Sequence, residues 1–538
     1  MFVRKKSFTN RDGSKRVYAQ ICHSRRVDGV SKHDVLFDLG RIDLPEGKAK
    51  LNEVVKILVN ASEDISFLDV MKDLKAHDAL EYGPHYIFSK LWKNLGLETI
   101  FKSEFRQYET EFDVCKAIYN MTLNRLTAPS SKRALEPWQE NMFDISRFDT
   151  HQYYRAMDYL IEHKESVEKK LFDRQRDLFN QSVDVVLFDT TTLVYYGKGP
   201  EDEHEELLAK GFSKAHRGDL NQVVVGVLVS KEGIPLGHEV FAGNKNDVTC
   251  FKEIIDKVSS KFKVSKVVLV GDRGMINDKN LRLLDDKKYE YILGYRMRTI
   301  KKTDRAQVLS KANLKKIKKD CLQCCEVEYK GRRLIVFYNP ERAETDAKKR
   351  RELIEQINEK LKSKDVKSLI SNSSFKKFIT IDAKAPKLDL QKVKDDAIYD
   401  GVFVITSNTK LKPLEVVNGY RDLWQVEMAF RQLKSELKMG PMFHHKDRRI
   451  RAHIMICFMA LMMRSHLYRQ LKKKYKHASY PKVLNDMKSM KVVELDIKNE
   501  KILVRTETKK GFMQAVNSLK MKSPPRILSN HSVKQILQ

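Results

Sequence analysis

No run in these 538 residues is long and apolar enough to cross a bilayer. The longest apolar stretch, residues 454–463, falls well short of the roughly 20 residues a spanning helix needs. The N-terminus, MFVRKKSFTNRDG, lacks the apolar segment of a secretory signal. No membrane partner and a cytoplasmic location are therefore expected. Cysteine is scarce and odd in number, seven residues at 22, 115, 250, 321, 324, 325 and 457. That count excludes a disulfide framework and fits a reducing compartment. Cys321, Cys324 and Cys325 form a CxxCC cluster, but no second CxxC or HxxxH pair completes four zinc ligands. There is no GxxxxGK[ST] phosphate loop and no serine-nucleophile motif, so no nucleotide cofactor is expected. No repeat of fixed period is found. Acid is short against base: Asp plus Glu is 72, Lys plus Arg is 102, a formal charge of +30. The excess runs through the whole length and favours a polyanion partner, most simply nucleic acid.

What is present changes texture along the chain. Residues 1–45 alternate short β-like runs with turns, a small antiparallel sheet rich in Arg and Lys. From about 84 to 180 the apolar spacing turns helical. Residues 185–188, VVLF, form a continuous apolar run ending at Asp189, as in a strand buried on both faces. QVVVGVLV, the stretch 235–242, VVLV ending at Gly271-Asp272, and residues 289–294 predict further strands, with helices between the last three. The result is a mixed α/β layer. Residues 296–395 interrupt it. They carry a hairpin around Lys330-Gly331, a long charged helix and a short strand, and read as an inserted domain of mainly β character. GVFVITS then returns to core texture. Residues 470–538 are Lys-rich and weakly patterned, as in a partly ordered tail.

Residues 420–438, YRDLWQVEMAFRQLKSELK, read as one helix with two stripes. Leu423, Val426, Phe430, Leu433 and Leu437 make the apolar stripe. Tyr420, Trp424, Glu427, Arg431, Lys434 and Lys438 make the other, a single carboxylate among two aromatic rings and three cations. An amphipathic helix with a solvent-facing Glu–Lys lattice is the plain alternative. Asp189, Asp272 and Glu427 stand out together. Two carboxylates at neighbouring strand ends, with a third from a packed helix, can hold a pair of hard cations suited to phosphodiester cleavage. Asp247, in GNKND, reads as a helix cap before a fourth ligand. His216 and Arg217 read as solvated loop residues before DNA contacts.

Six segments, in order, carry a family resemblance: LFDTTTL, DLNQVVVGVLVSKEGIPLGHEVFAGNKNDVT, VLVGDRGMI, DGVFVITSN, YRDLWQVEMAFRQLKSEL and RRIRAHIMICFMALMM. Together they resemble the bacterial insertion-sequence transposases of the DDE type, in the branch with a Tyr-Arg-Glu-Lys signature. The resemblance implies a ribonuclease-H-like mixed sheet flanked by helices, interrupted by a β-rich insertion domain, and preceded by small β and helical DNA-binding regions. It implies Asp189, Asp272 and Glu427 as the catalytic and metal-holding triad, with two Mg²⁺ ions that Mn²⁺ can replace. Tyr420 and Lys434 match the signature's Tyr and Lys. Its Arg belongs at the position of Leu423; Arg421 adjoins the Tyr instead, and Arg431 is the substitute on the Glu427 stripe. Tyr420, Arg421, Trp424, Arg431 and Lys434 are thus the expected DNA contacts, Trp424 by stacking on an unpaired base or else by core packing. The domains expected are 1–50, small β; 51–180, helical and binding DNA ends; 181–295, first part of the core; 296–395, insertion; 396–470, second part of the core; and 471–538, a basic C-terminal region. The partners implied are double-stranded DNA, as element ends and target, and a second copy in a dimer on DNA, at a nucleoid-associated location. A catalytically inactive DNA-binding protein of the same fold and a metal-dependent nuclease without strand transfer are the alternatives.

Overall fold

The computed structural model describes residues 2–10, 12–27, 30–44, 75–179, 185–197, 205–212, 217–262, 268–295, 324–363, 372–382, 385–497 and 500–528, with a few isolated positions besides. β1 (Phe2–Thr9), β2 (Lys15–Val27) and β3 (Val30–Arg41) form an antiparallel sheet of their own. The β1–β2 turn holds because Gly13 takes a positive φ of 81° and Asp12 accepts the Ser14 N–H at 3.0 Å.

β4 (Lys75–Glu81) leads into six helices: α1 (Gly83–Asn94), α2 (Leu97–Phe105), α3 (Val114–Thr127), α4 (Leu135–Glu140), α5 (Thr150–Glu162) and α6 (Lys164–Phe179). Asp113 caps α3, and Asp149 with Gln152 forms a capping box on α5. α3 is buried almost residue by residue and forms the centre of this layer.

The main sheet follows. Its strands are β5 (Val185–Val194), β6 (Ala209–Lys210), β7 (Asn221–Ser230), β8 (Pro235–Ala242), β9 (Val268–Gly271), β10 (Glu290–Tyr295), β11 (Cys324–Tyr329), β12 (Arg332–Tyr338) and, later in the chain, β15 (Val402–Ser407). The spatial order is β11-β12-β15-β10-β9-β5-β7-β6, with β8 also on β7. β5, β9 and β10 run parallel, while β7 is antiparallel to β5 and to β8. α7 (Asp247–Phe262) and α8 (Asp278–Asp286) connect β8 to β9 and β9 to β10. This is the mixed α/β layer the apolar runs predict, and β7 is buried on both faces as its unbroken apolar run requires.

Two expectations need correction. Among the described residues, the 296–395 block is not one mainly β domain. Its hairpin β11–β12 turns at Lys330-Gly331 as expected, but β12 then pairs with β15 and extends the main sheet. The LIVF run of β12 is buried on both faces, and it finds that cover only beside the core strands. The rest of the block is mixed: α9 (Pro340–Lys362), α10 (Ser373–Lys376), β13 (Ile379–Asp382), β14 (Ala385–Leu388) and α11 (Leu390–Ala397), with a small core at Ile357, Leu369, Phe375 and Phe378.

The second correction concerns the chain end. After α12 (Pro413–Arg421), α13 (Trp424–Arg431) and the 28-residue α14 (Asp447–Lys474), the residues expected as a tail fold as α15 (Tyr480–Lys488), β16 (Lys491–Ile497), β17 (Glu500–Arg505), α16 (Lys510–Ser518) and β18 (Ile527–Leu528). β16 pairs with β4, and the Tyr86 hydroxyl donates to the Lys522 carbonyl at 2.6 Å. Such pairing over 400 residues leaves no local periodicity to read. α14 is the spine between the layers, packing on α3, α5 and β8. Among the described residues no helix is long and apolar enough to cross a membrane.

Candidate active site

Register brings the first two acids together. Phe188 of β5 and Gly271 of β9 are partners in a parallel pair, so Asp189 and Asp272 are the next residues on neighbouring chains. Their backbones are roughly one strand spacing apart, about 4.8 Å. Asp189 does not end its strand, as the apolar run suggests. β5 continues to Val194, and Asp189 sits where β9 stops beside it. The Thr-rich continuation TTTLV has β propensity of its own and pairs with β7, which carries β5 past the carboxylate.

Alternation fixes which way the acids face. Leu187 and Leu193 of β5 and Val268 and Val270 of β9 lie in the large core that also takes Val426, Phe430 and Leu433. Phe188 and Leu269 lie in the opposite, smaller core with Phe251 and Ile254 of α7. Asp189 and Asp272 share the parity of the first set, so both turn toward the face that α12 and α13 cover.

Residues 420–438 are not one helix. α12 ends at Arg421, and Asp422 and Leu423 form a tight turn in which Gln425 and Val426 donate to carbonyls three residues back. α13 then runs into a π-helical turn, Gln432–Glu436, closed by the Leu437 N–H on the Gln432 carbonyl at 2.9 Å. Lys438 ends it with a positive φ of 45°, and the Met439 N–H reaches back to the Leu433 carbonyl. A tightened turn followed by a widened one leaves both stripes in place. Val426, Phe430, Leu433 and Leu437 are buried, while Trp424, Glu427, Arg431, Lys434 and Lys438 are exposed. Arg464, buried in α14, pins the π turn through Glu436 at 2.7 Å.

Tyr420 links the helices to the strands. Its hydroxyl donates to Asp272 Oδ1 at 3.4 Å. Burial, and next the Asp272 and Glu427 carboxylates, hold its phenol well above the ordinary tyrosine range. The hydroxyl fits only because β10 offers Gly294, where a methyl group would collide with it. Tyr420 is thus in contact with one of the acids. Gly294 and the neighbouring Arg273 are contributors that sequence reasoning missed, because a glycine at a strand end has no local signature of what it admits.

Asp247 is not the helix cap expected. Asn246 caps α7 by accepting the Thr249 N–H at 2.9 Å, whereas Asp247 accepts the hydroxyl of Thr190, the residue after Asp189. Thr190 lies on the opposite face from Asp189, so Asp247 braces the strand from behind. Trp424 is 52% exposed, one helical turn before Glu427, and is not part of the core. Arg421 is exposed at the end of α12. Arg217 is bound to Asp219 at 2.9 Å; His216 lies outside the described residues. So does Cys321, which leaves Cys324 and Cys325 on β11.

The three acids do not all close to within 4.8 Å of one another, as a tight convergence requires. Among the described residues the group that does is Glu165, Glu168 and Glu239. A protein cation occupies that group: Lys164 Nζ lies 3.4, 3.1 and 3.2 Å from the three carboxylates. The donors at Asp189, Asp272 and Glu427 are carboxylate oxygens on one face of the sheet, the ligand type that hard divalent cations take.

Residues 181–463 match the family described as transposase DDE domain, and residues 3–65 match the N-terminal domain of IS1634 family transposases. No curated protein gives a match. Among solved structures, the chain is similar to one titled "Mos1 transposase paired-end complex with left transposon end", at 10% identity and a TM-score of 0.15. That match covers 34% of this chain and 60% of the other, and likeness at that score carries no further argument.

Proposed function

The chain belongs to the transposase DDE-domain family, and from that premise we propose that it binds the terminal inverted repeats of an insertion sequence, cuts the DNA there and joins the 3′ ends to target DNA. One observation carries the reading: Asp189 and Asp272 are register neighbours on the sheet face beneath the helix that bears Glu427. The mixed sheet, with its first strand between an antiparallel neighbour and a parallel one, supports a ribonuclease-H-like core.

Asp189, Asp272 and Glu427 are the residues that would hold two Mg²⁺ ions, or Mn²⁺ in their place. Cations bound there polarise the scissile phosphate and acidify the attacking water. The chain's own groups do the rest. Tyr420 fixes the rotamer of Asp272 through its hydroxyl. Lys434 and Arg431, on the exposed stripe, hold backbone phosphates on either side of the cut. Trp424 offers an aromatic face to an unpaired base. Water attacks the phosphorus, the bond to the 3′ oxygen breaks, and that oxygen leaves with a proton. The freed 3′-hydroxyl then displaces a target-strand oxygen from its phosphorus, exchanging one phosphodiester for another, so no nucleotide cofactor is needed.

Tyr420, Glu427 and Lys434 support the Tyr-Arg-Glu-Lys branch, with Leu423 where its Arg belongs. Two ends must be cut together, which favours a dimer on DNA. The test is direct. Asp189→Asn, Asp272→Asn and Glu427→Gln should each abolish cleavage of a labelled element end in Mg²⁺ and still shift it on a gel. Full cleavage by any of them removes that residue from the triad. Adding a plasmid target separates transposition, which yields joined products, from nuclease action, which yields nicks alone.

A further inference from the structure

Lys434 stands inside the π turn, and that turn lies between fixed ends. Upstream, Val426 and Phe430 are buried against the sheet. Downstream, Arg125 of α3 donates to the Lys438 carbonyl at 3.1 Å, and His453 of α14 is hydrogen-bonded to the Met439 carbonyl at 3.1 Å. The Met442 N–H donates to the Val194 carbonyl at 2.9 Å. A π turn fits one residue more than an α-helical turn between the same ends. With both ends held, the extra residue cannot leave the segment, but the wide turn can move within it. Each position of the wide turn gives Lys434 a different angle about the helix axis relative to Glu427.

One side chain grips the wide turn where it is. Arg464, on α14, is 5% exposed. Its Nε donates to Glu436 Oε2 at 2.7 Å and its Nη2 to Glu436 Oε1 at 2.9 Å. Such a fork holds a carboxylate in position and in plane, which the point charge of a lysine does not. The guanidinium is itself held in place. Its carbon lies 4.3 Å from the ring centre of buried Tyr480 and 6.0 Å from that of Tyr468. Glu436 is the last residue of the π turn, and beside it the Ser435 hydroxyl donates to the Arg431 carbonyl at 2.5 Å. Arg464 and Tyr480 both lie beyond residues 181–463, the segment that matches the DDE family. π turns are rare and persist where the surrounding structure over-determines them.

We propose that Arg464 is a positioning residue for DNA: through Glu436 it keeps the wide turn at Gln432–Glu436 and so fixes the angle at which Lys434 meets a strand phosphate. The inference rests on the reading of Lys434 as a phosphate contact. It gives Glu436 an effect opposite to that of its charge. An acid on a DNA-facing helix repels phosphates, so on charge alone its removal should tighten binding. As the handle of the turn, its removal should loosen binding.

Binding of the full chain to a labelled element end, measured against salt and well below each variant's Tm, decides between the two. Lys434→Ala should weaken binding about tenfold, the effect of losing one charge-assisted contact. It should also lower the slope of log K against log salt by about 1. Glu436→Ala should do the same, although it removes a negative charge. So should Glu436→Ala combined with Arg464→Met, which changes no net charge and leaves no buried cation unpaired. That combination keeps the test decisive if the single variant folds poorly. Adding Lys434→Ala to either should cost nothing further. A pair that only stabilised the fold would lower Tm and leave the salt slope alone, and that result overturns the inference. So does a Glu436→Ala variant that binds as tightly as the wild type or tighter, or a Lys434→Ala penalty that is the same with and without the pair. If Lys434→Ala on its own leaves the slope unchanged, the reading of Lys434 as a phosphate contact falls, and the inference with it.

Discussion

At the scale of the residue, the places of the three acids on β5, after β9 and on α13 were legible in the sequence, and what packs against them was not. Asp189 and Asp272 follow apolar runs and Glu427 sits on a helical stripe, so position alone marks them. The Tyr420–Asp272 bond and the space above Gly294 join residues more than a hundred positions apart, and nothing local announces them. Both can be tested. Gly294→Ala should destabilise the chain by about 1–3 kcal/mol, the usual cost of forcing a methyl into a filled site, and should slow cleavage without weakening end binding. Tyr420→Phe removes one long hydrogen bond and should cost no more than about 1 kcal/mol. In the double variant the alanine penalty should shrink, because the atom it strikes is gone. Equal penalties in both backgrounds, by urea unfolding, would place the strain of Gly294→Ala elsewhere.

At the scale of the element, periodicity gave the right faces and the wrong continuity. Residues 420–438 contain no Pro and no Gly, so no breaker marks the turn at Asp422–Leu423, and a π turn has no composition of its own. Burial of Val426, Phe430, Leu433 and Leu437 survived both irregularities because one compensates the other. Leu433→Ala should cost about 2–5 kcal/mol, as for other buried leucines, read from the urea midpoint. Lys434→Ala should leave stability and Mg²⁺ dependence alone. It should weaken end binding and lower the slope of log K against log salt by about 1. An altered metal requirement with intact binding would show that Lys434 acts on the acids and not on the DNA. The same limit explains the 296–395 block: its strand and long helix were readable, but which sheet the hairpin joined depended on the exposed edge of β15.

At the scale of the whole molecule, the charge excess was plain in the composition, whereas the closing of the two chain halves on each other was not. Removing residues 475–538 strips the partner strand from β4 and Phe512 from its place beside Tyr86. The truncated chain should lose helical circular dichroism and protease resistance in residues 75–179; retention of both would show that the helical layer stands without its C-terminal cover. Buried histidines make the fold sensitive to acid. Burial brings His85 to about 4, and His466 and His444 to about 3. The unfolded chain therefore binds more protons than the folded one below the ordinary value of 6.5. Their contribution is complete above that value and lost as pH falls toward 3. The urea midpoint should drop between pH 7 and pH 4, and less so in His466→Gln. The sheet order has a last consequence. The excursion from β10 to β15 begins and finishes on adjacent antiparallel strands, with Tyr295 opposite Val404, while Asp189 and Asp272 ride on strands farther in. That doorway makes the enzyme a chassis: a guest module with neighbouring termini, a reporter or a targeting unit, could be spliced there without shifting the acids.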